Sequence, residues 1–171
     1  MKTIAFAGSN SSTSINQQFI NIAATLVEHI EVIKLTDYTF PIYNIDIEEK
    51  EGIPKEVQNL DQKLSEATNF IISVPEHNGN ISAFFKNSLD WLSRNNRNFL
   101  AHKKVVLLST SPGKGGASSA LQIAEKTLPY FGAEIVSTMS LGNFYDQVKN
   151  GLIVHQETQN NLQNALSKLN K

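Results

Sequence analysis

The sequence predicts an α/β fold in which helices cover both faces of a central parallel sheet. Two observations support this prediction. Short apolar runs that end at glycine, proline or polar loops alternate with longer segments whose apolar residues recur at helical spacing. The alternation repeats along all 171 residues with no linker or low-complexity tract. We therefore expect a single domain over residues 1–171.

The strand candidates are short and apolar. They lie at residues 4–7, 30–36, 70–74, 105–108 and 135–136. The third and fourth are almost wholly apolar, which favours central positions that are covered on both faces. The fifth is weaker, because only Ile135 and Val136 carry the signal.

A helix is predicted after each strand. The apolar residues at helical spacing are Ile15, Phe19, Ile22, Ala23, Leu26 and Val27; Val57, Leu60, Leu64 and Ala67 after Pro54; Ile81, Phe84, Phe85, Ser88, Leu89 and Leu92; Ala117, Ala120, Leu121, Ala124 and Leu128; and Leu162, Ala165, Leu166 and Leu169. Right-handed crossovers then give a flavodoxin-like three-layer α/β/α sandwich with the five-stranded order 2-1-3-4-5. A Rossmann order is the second choice, because no GxGxxG motif follows the first strand.

Composition narrows the classes of function. Fifteen Lys and Arg against 16 Asp and Glu give a formal charge of -1, which supplies no basic field for nucleic acid. The absence of cysteine excludes disulfides and thiolate chemistry, and four scattered histidines argue against a metal site. No apolar stretch approaches the roughly 20 residues that cross a bilayer, and no signal-peptide pattern is present. We expect a soluble cytoplasmic protein that binds neither nucleic acid nor membrane.

Three loops of unusual composition fall at the predicted carboxyl edge of the sheet. They are GSNSSTSIN at 8–16, PEHNGN at 75–80 and TSPGKGG at 110–116. In an open α/β sheet the ligand lies beyond the carboxyl ends of the strands where the strand order reverses, here between the first and third strands. Because these loops follow the first, third and fourth strands, we expect them to meet at one ligand site.

The first loop is rich in hydroxyl groups and carries no charge. Ser9, Ser11 and Ser14 can each donate a hydroxyl hydrogen, Asn16 can donate from its amide, and the helix that follows offers free backbone N–H groups. A phosphate monoester suits these donors. The loop lacks the Gly-Lys-Ser/Thr ending of a P-loop, which argues against ATP or GTP. The alternative is an ordinary turn in which Ser14 caps the helix.

The second and third loops are predicted to expose backbone groups. Asn78-Gly79 favours a turn with positive φ, which would present N–H groups to a planar heteroaromatic ring. We interpret Glu76 as a carboxylate that braces the loop rather than an acid–base partner of His77, because neighbours in an extended segment point in opposite directions. The glycines of the third loop indicate either close approach of backbone to a ligand or a mobile connection.

Together the three loops resemble those of the NADPH-dependent FMN reductase family, a flavodoxin-like group that includes azoreductases, quinone reductases and chromate reductases. The matching segments are 8–16, 75–91 (PEHNGNISAFFKNSLDW) and 111–116, and the middle one is the most specific. The resemblance implies FMN as cofactor and NADPH or NADH as co-substrate. It further implies ping-pong hydride transfer to a small-molecule acceptor (quinone, azo compound, metal ion or free flavin), and a homodimer or homotetramer. It implies no catalytic side chain, because the flavin carries the reaction.

Carried over residue by residue, the resemblance implies a cofactor site. The residues near the phosphate are Ser9, Ser11, Ser14, Ile15 and Asn16, and those beside the isoalloxazine ring are Pro75, Glu76, His77, Asn78, Gly79, Ser111 and Gly113. Many relatives carry an arginine where Ser11 stands and a tyrosine where His77 stands. The missing arginine leaves the phosphate to neutral donors and leaves open the choice between NADPH and NADH.

Two other functions were weighed on the same fold. A flavodoxin-like electron carrier would bind FMN but take its electrons from a partner protein, and such carriers are usually strongly acidic. A phospho-accepting signalling domain would need acidic residues after the first strand and an aspartate at the end of the third. Those places hold Gly8-Ser9 and Val74-Pro75, so the signalling domain is rejected and the carrier remains the alternative.

Overall fold

A computed structural model describes residues 2–170 of the protein. Its strands are β1 (Thr3–Ala7), β2 (Ile30–Val32), β3 (Asn69–Ser73), β4 (Glu76–His77), β5 (Asn80–Ile81), β6 (Lys103–Thr110), β7 (Ala133–Leu141), β8 (Val148–Lys149) and β9 (Leu152–Ile153). The main sheet has the order β2-β1-β3-β6-β7 with every pair parallel. This is the predicted flavodoxin-like order 2-1-3-4-5 when only the strands of the main sheet are counted, so that prediction is confirmed.

Helices cover both faces of the main sheet. They are α1 (Ile15–Ala24), α2 (Ile45–Glu51), α3 (Lys55–Ser65), α4 (Ala83–Asn95), α5 (Ser118–Thr127), α6 (Phe144–Gln147) and α7 (Gln156–Ser167). Successive side chains of a strand point to opposite faces. Ile4 and Phe6 of β1 accordingly pack into the core beneath α3, α4 and α5, whereas Ala5 and Ala7 pack into the core beneath α1 and α7. The result is three layers, as predicted.

The two edge strands differ in length from their predictions. β2 ends at Val32 rather than 36, because the chain turns into a short 3-10 segment, Leu35–Asp37, that carries Leu35 into the core. β7 runs for nine residues instead of two. Its apolar residues alternate with Ser, Thr and Glu because an edge strand is only half-buried, and this dilutes the apolar signal. Edge strands therefore carried the weakest sequence signal.

Several short elements were also not predicted. α2 lies in the segment that the sequence assigned to a loop, and none of its residues is buried. An ion pair attaches α2 to α4, since Arg94 of α4 donates to Glu48 at 2.8 Å. This bond lowers the pKa of the Glu48 carboxyl. α6 and the antiparallel β8–β9 pair lie between β7 and α7, where the sequence indicates no regular element.

The α3 and α4 starts also differ slightly from prediction. Pro54 stands at the N-cap of α3 rather than inside it, and Ile81 belongs to β5 rather than to α4. Ser82 caps α4, since its hydroxyl oxygen accepts from the Phe85 N–H at 3.0 Å. Within residues 2–170, no helix combines the length and apolarity that crossing a membrane requires.

Candidate functional site

The three predicted loops meet at one groove at the carboxyl edge of the main sheet. The groove encloses about 260 Å³ and is lined by Ser9, Ser11, Thr13, Ser14, Ile15, Asn16, Pro75, Glu76, His77, Thr110, Ser111, Pro112 and Tyr145. Nine of the twelve predicted site residues are among them. The other three, Asn78, Gly79 and Gly113, lie outside the lining, in exposed turns of the second and third loops.

The first loop uses its hydroxyl oxygens to satisfy its own backbone. Ser9 Oγ accepts from the Ser11 N–H at 3.3 Å, and Ser11 Oγ accepts from the Thr13 N–H at 3.3 Å. Ser14 is the N-cap of α1, and its Oγ accepts from the Gln17 N–H at 3.2 Å. The ordinary-turn geometry weighed from the sequence is therefore present. It leaves the hydroxyl hydrogens of Ser9 and Ser14 free for an acceptor in the groove.

The N-terminus of α1 adds two backbone donors. Among the described residues, the N–H groups of Ile15 and Asn16 have no hydrogen-bond acceptor. The first turn also contains no acidic side chain. A helix N-terminus carries partial positive charge, so this end of the groove favours an anion without a formal cation.

Asn16 differs from the other polar residues of the loop because its side chain is buried, with 4% of its surface exposed. Its Oδ1 accepts from Ser73 Oγ at 2.8 Å and from the Thr110 N–H at 3.3 Å. Its Nδ2 donates to the Thr110 carbonyl at 3.2 Å. The amide thus joins α1 to the ends of two strands.

The second loop forms the small β4–β5 hairpin. Asn78 and Gly79 have φ of 54° and 73°, so the predicted turn with positive φ is present. Glu76 Oε2 accepts from the Ala120 N–H in the first turn of α5 at 3.1 Å. The residue at the N-cap of that helix, Ala117, supplies no side-chain bond. The bracing role predicted for Glu76 is confirmed by this contact.

The third loop is tied to the segment that follows β7. The Ser111 carbonyl accepts from the Phe144 N–H at 3.1 Å, and the Gly113 carbonyl accepts from the Asn143 N–H at 2.9 Å. These bonds favour a held loop over the mobile connection that the sequence left open. They also place Tyr145 at the groove, a lining residue that sequence reasoning missed because the segment 142–151 gave no clear pattern.

The groove is nearly neutral. Its lining contains no lysine or arginine among the described residues, and Glu76 is engaged with α5. Lys34 lines a neighbouring groove that shares Ser9 and Ser11 with this one. An anion in this groove would therefore meet hydroxyl and N–H donors rather than a lysine or arginine.

Comparison with known proteins decides the family. The family model described as NADPH-dependent FMN reductase matches residues 1–146. The chain belongs to this family. The resemblance found in the three loops is thereby confirmed.

Two relatives and one solved structure illustrate the similarity. An uncharacterized protein of Mycoplasma pneumoniae is 30% identical over 144 residues, which cover 80% of this chain and 84% of that protein. The NADPH:quinone oxidoreductase of Arabidopsis thaliana is 31% identical over 134 residues, and the match covers 73% of this chain but 65% of the plant protein. The flavoenzyme NAD(P)H:(acceptor) oxidoreductase FerB of Paracoccus denitrificans has a TM-score of 0.81 with 24% identity, covering 99% of this chain and 96% of that one.

The groove fits the cofactor of the FMN reductase family. The Ser9 and Ser14 hydroxyls and the Ile15 and Asn16 N–H groups form one cluster of neutral donors that suits a phosphate. Pro75 and Pro112 line the same groove from the second and third loops. They supply rigid, uncharged surface on which a planar ring system can lie.

Proposed function

We propose that the protein is an FMN-dependent NAD(P)H oxidoreductase that reduces a small-molecule acceptor. The observation that carries the proposal is the groove itself. It lies at the point where the strand order reverses, and it joins a cluster of neutral anion donors to rigid, uncharged loop surface. Membership of the FMN reductase family supports the same cofactor.

The phosphate of FMN is assigned to the N-terminus of α1. The Ser9 and Ser14 hydroxyls donate to it, together with the Ile15 and Asn16 N–H groups, and Ser11 lies beside them in the lining. The helix dipole compensates part of the phosphate charge, which the missing arginine leaves unpaired. Four neutral donors and one helix end thus replace a formal cation.

The isoalloxazine ring is assigned to the space between the second and third loops. On one side lie Pro75, Glu76 and His77, with Asn78 and Gly79 in the turn beyond them. On the other side lie Ser111 and the backbone near Gly113. Held there, FMN would supply the transfer of a hydride from reduced nicotinamide and of two electrons to the acceptor, so the role of the chain is to position the flavin and its substrates.

The charge of the groove lining bears on the class of electron acceptor. Backbone hydrogen bonds hold the third loop in place, and the lining of the groove carries no lysine or arginine among the described residues. Because an anionic acceptor would find no cationic partner there, we favour a planar, uncharged acceptor that can lie on the exposed ring face, such as a quinone. The quinone oxidoreductase relative supports the same class.

The test is an anaerobic reduction experiment with purified protein loaded with FMN. We expect NADPH or NADH to bleach the visible flavin spectrum and a quinone to restore it. Failure of both nucleotides to bleach bound flavin would favour the electron-carrier alternative. Failure to take up FMN at all would contradict both functions.

The proposal includes assembly into a homodimer or homotetramer in the cytoplasm, as the resemblance implies. Apolar surface is available beside the groove, since Tyr145 is 58% and Leu152 68% exposed in the single chain. Light scattering of the purified protein measures the assembly, and a monomer at micromolar concentration would contradict it.

A further inference from the structure

We propose that the Asn16 side chain is a positioning residue, which holds the ends of β3 and β6 in register beneath the groove, and that it does not bind the FMN phosphate. The flavin part of this inference rests on the proposed function.

The Asn16 amide pairs with both backbone groups of one residue. Its Oδ1 accepts from the Thr110 N–H, and its Nδ2 donates to the Thr110 carbonyl. This arrangement fixes which amide atom is oxygen and which is nitrogen, because the reverse assignment would place two donors and two acceptors face to face. The side chain therefore bonds to Thr110 as a neighbouring strand would.

Asn16 pairs with the Thr110 backbone beyond the point at which β3 stops pairing with β6. The last bond from the β3 side to β6 is donated by the Val74 N–H to the Leu108 carbonyl at 2.8 Å. Thr110, two residues further along β6, would face that side with both backbone groups unpaired. Asn16 satisfies both and thereby extends the ordered part of β6 to the start of the third loop.

The same amide also holds the end of β3. Ser73, the last residue of β3, donates its hydroxyl to Asn16 Oδ1 at 2.8 Å, and both side chains are buried. One side chain thus joins the N-terminus of α1, the residue that precedes the second loop by two positions, and the residue that opens the third loop. A shift of any one of these segments would break at least one of the three bonds.

This arrangement separates the two chemical groups of Asn16. The side-chain oxygen and one amide hydrogen are already bonded inside the protein, whereas the backbone N–H has no acceptor among the described residues. The backbone N–H serves the phosphate, and the side chain serves the loops. Removal of the side chain should therefore disturb the two loops at the ring site and leave the phosphate contacts of the first loop and α1 in place.

Comparison of FMN with riboflavin, which lacks the phosphate, tests this assignment. In Asn16→Leu, which keeps the branching at Cγ but removes all three bonds, we expect the dissociation constants of FMN and of riboflavin to rise by the same factor, about tenfold or more. The matched control Ser14→Ala should weaken FMN and leave riboflavin unchanged. Weakening of FMN alone in Asn16→Leu would overturn the proposal.

A second measurement, amide hydrogen exchange, needs no flavin and can therefore be made on a variant that folds too poorly to bind one. In apo-protein, we expect amide hydrogen exchange at Thr110 to accelerate about tenfold in Asn16→Leu, while exchange at Leu108 stays unchanged. Ser73→Ala, which removes a single bond, should weaken both flavins equally but less. Unchanged exchange at Thr110 would overturn the positioning role. If wild-type protein bound neither flavin while Thr110 exchange responded as expected, the proposed function would fail and the positioning role would stand.

Discussion

Both edges of the main sheet carry concavities, and the two edges differ in the groups that line them. The carboxyl-edge groove encloses about 260 Å³, whereas a cavity at the amino edge encloses about 400 Å³. The amino-edge cavity is lined by Thr3, Leu26, Val27, Glu28, His29, Asn69, Gln163, Leu166, Ser167, Leu169 and Asn170. Volume alone therefore does not identify a cofactor site.

The difference between the edges comes from the direction of the helices. α1 and α7 both end at the amino edge, and a helix C-terminus carries partial negative charge, which disfavours an anion there. α1 begins at the carboxyl edge, where its free N–H groups face the groove. A right-handed parallel α/β fold therefore makes one edge attractive to a phosphate and the other unattractive.

The amino edge places its formal charges in a surface cluster instead. Lys2 lies 2.7 Å from Glu31, and Lys63 lies 3.2 Å from both Glu31 and Glu66. Hydrogen bonds from Lys2 and then Lys63 lower the pKa of both carboxyls, and the same bonds raise the pKa of both lysines. This edge is stabilised by paired charges, whereas the carboxyl edge relies on neutral donors.

The largest expected effect comes from removal of the carboxyl-edge hydroxyls. Ser9→Ala together with Ser14→Ala should weaken FMN binding by about 100-fold or more, because two hydrogen bonds to a charged group are lost at about 1.5–3 kcal/mol each. Flavin fluorescence titration measures the change. The amino-edge control Gln163→Ala should leave the affinity unchanged, and equal losses in the two proteins would remove the distinction between the edges.

The second-largest effect is expected where Gly8 packs closely against Phe85 at the carboxyl edge. A Cβ on Gly8 would lie 2.6 Å from the Phe85 ring, so we expect Gly8→Ala to reduce the free energy of unfolding by about 2 kcal/mol. Gly113→Ala is the control, because a Cβ there meets no atom within 4 Å. Urea denaturation compares the two variants. Equal stability would show that Phe85 moves aside without cost.

A smaller effect is expected at the brace between the second loop and α5. Glu76→Ala should lower the free energy of unfolding by about 1 kcal/mol, because α5 loses its only side-chain acceptor at the N-terminus in residues 2–170. Glu76→Gln keeps an acceptor oxygen and should lose less. Glu125→Gln, at an exposed position near the C-terminus of α5, should change little. A loss as large at Glu125 as at Glu76 would argue against the brace.

The smallest effect is expected at the amino-edge charge cluster. Because the pKa values of Glu31 and Glu66 are lowered in the folded state, their contribution to stability is present above the usual carboxylate pKa of about 4 and disappears as pH falls below it. Lys63→Met should reduce this dependence on pH, and added salt should reduce it in wild-type protein. Urea denaturation at neutral and acidic pH checks both. A pH dependence unaffected by Lys63→Met would place its origin elsewhere.

The sequence predicted the parts of the fold that depend on local burial. The central strands β3 and β6 contain short runs of buried apolar residues, and the polar residues after these runs identified loops that meet in the groove. α2 was missed because none of its residues is buried, so no apolar period exists to detect. β7 was underestimated because its polar residues alternate with apolar ones at the sheet edge.

The contacts that organise the site could not be predicted. Asn16 bonds to Thr110 across 94 residues of sequence, and Glu76 bonds to Ala120 across 44. Such hydrogen bonds form only after the sheet has brought the strand ends together, so no local sequence pattern predicts them. The sequence thus identified which residues surround the groove but not that the Asn16 amide is already engaged.

Nuclear magnetic resonance titration of apo-protein with FMN tests most directly which edge binds the cofactor. We predict saturable amide shifts that concentrate at Ile15 and Asn16, whose N–H groups are free for the phosphate, and along the second and third loops. Residues of the amino-edge cavity should remain unchanged. Shifts centred on the amino-edge cavity, or no saturable shift at Ile15 and Asn16, would contradict the assignment of the carboxyl-edge groove as the FMN site.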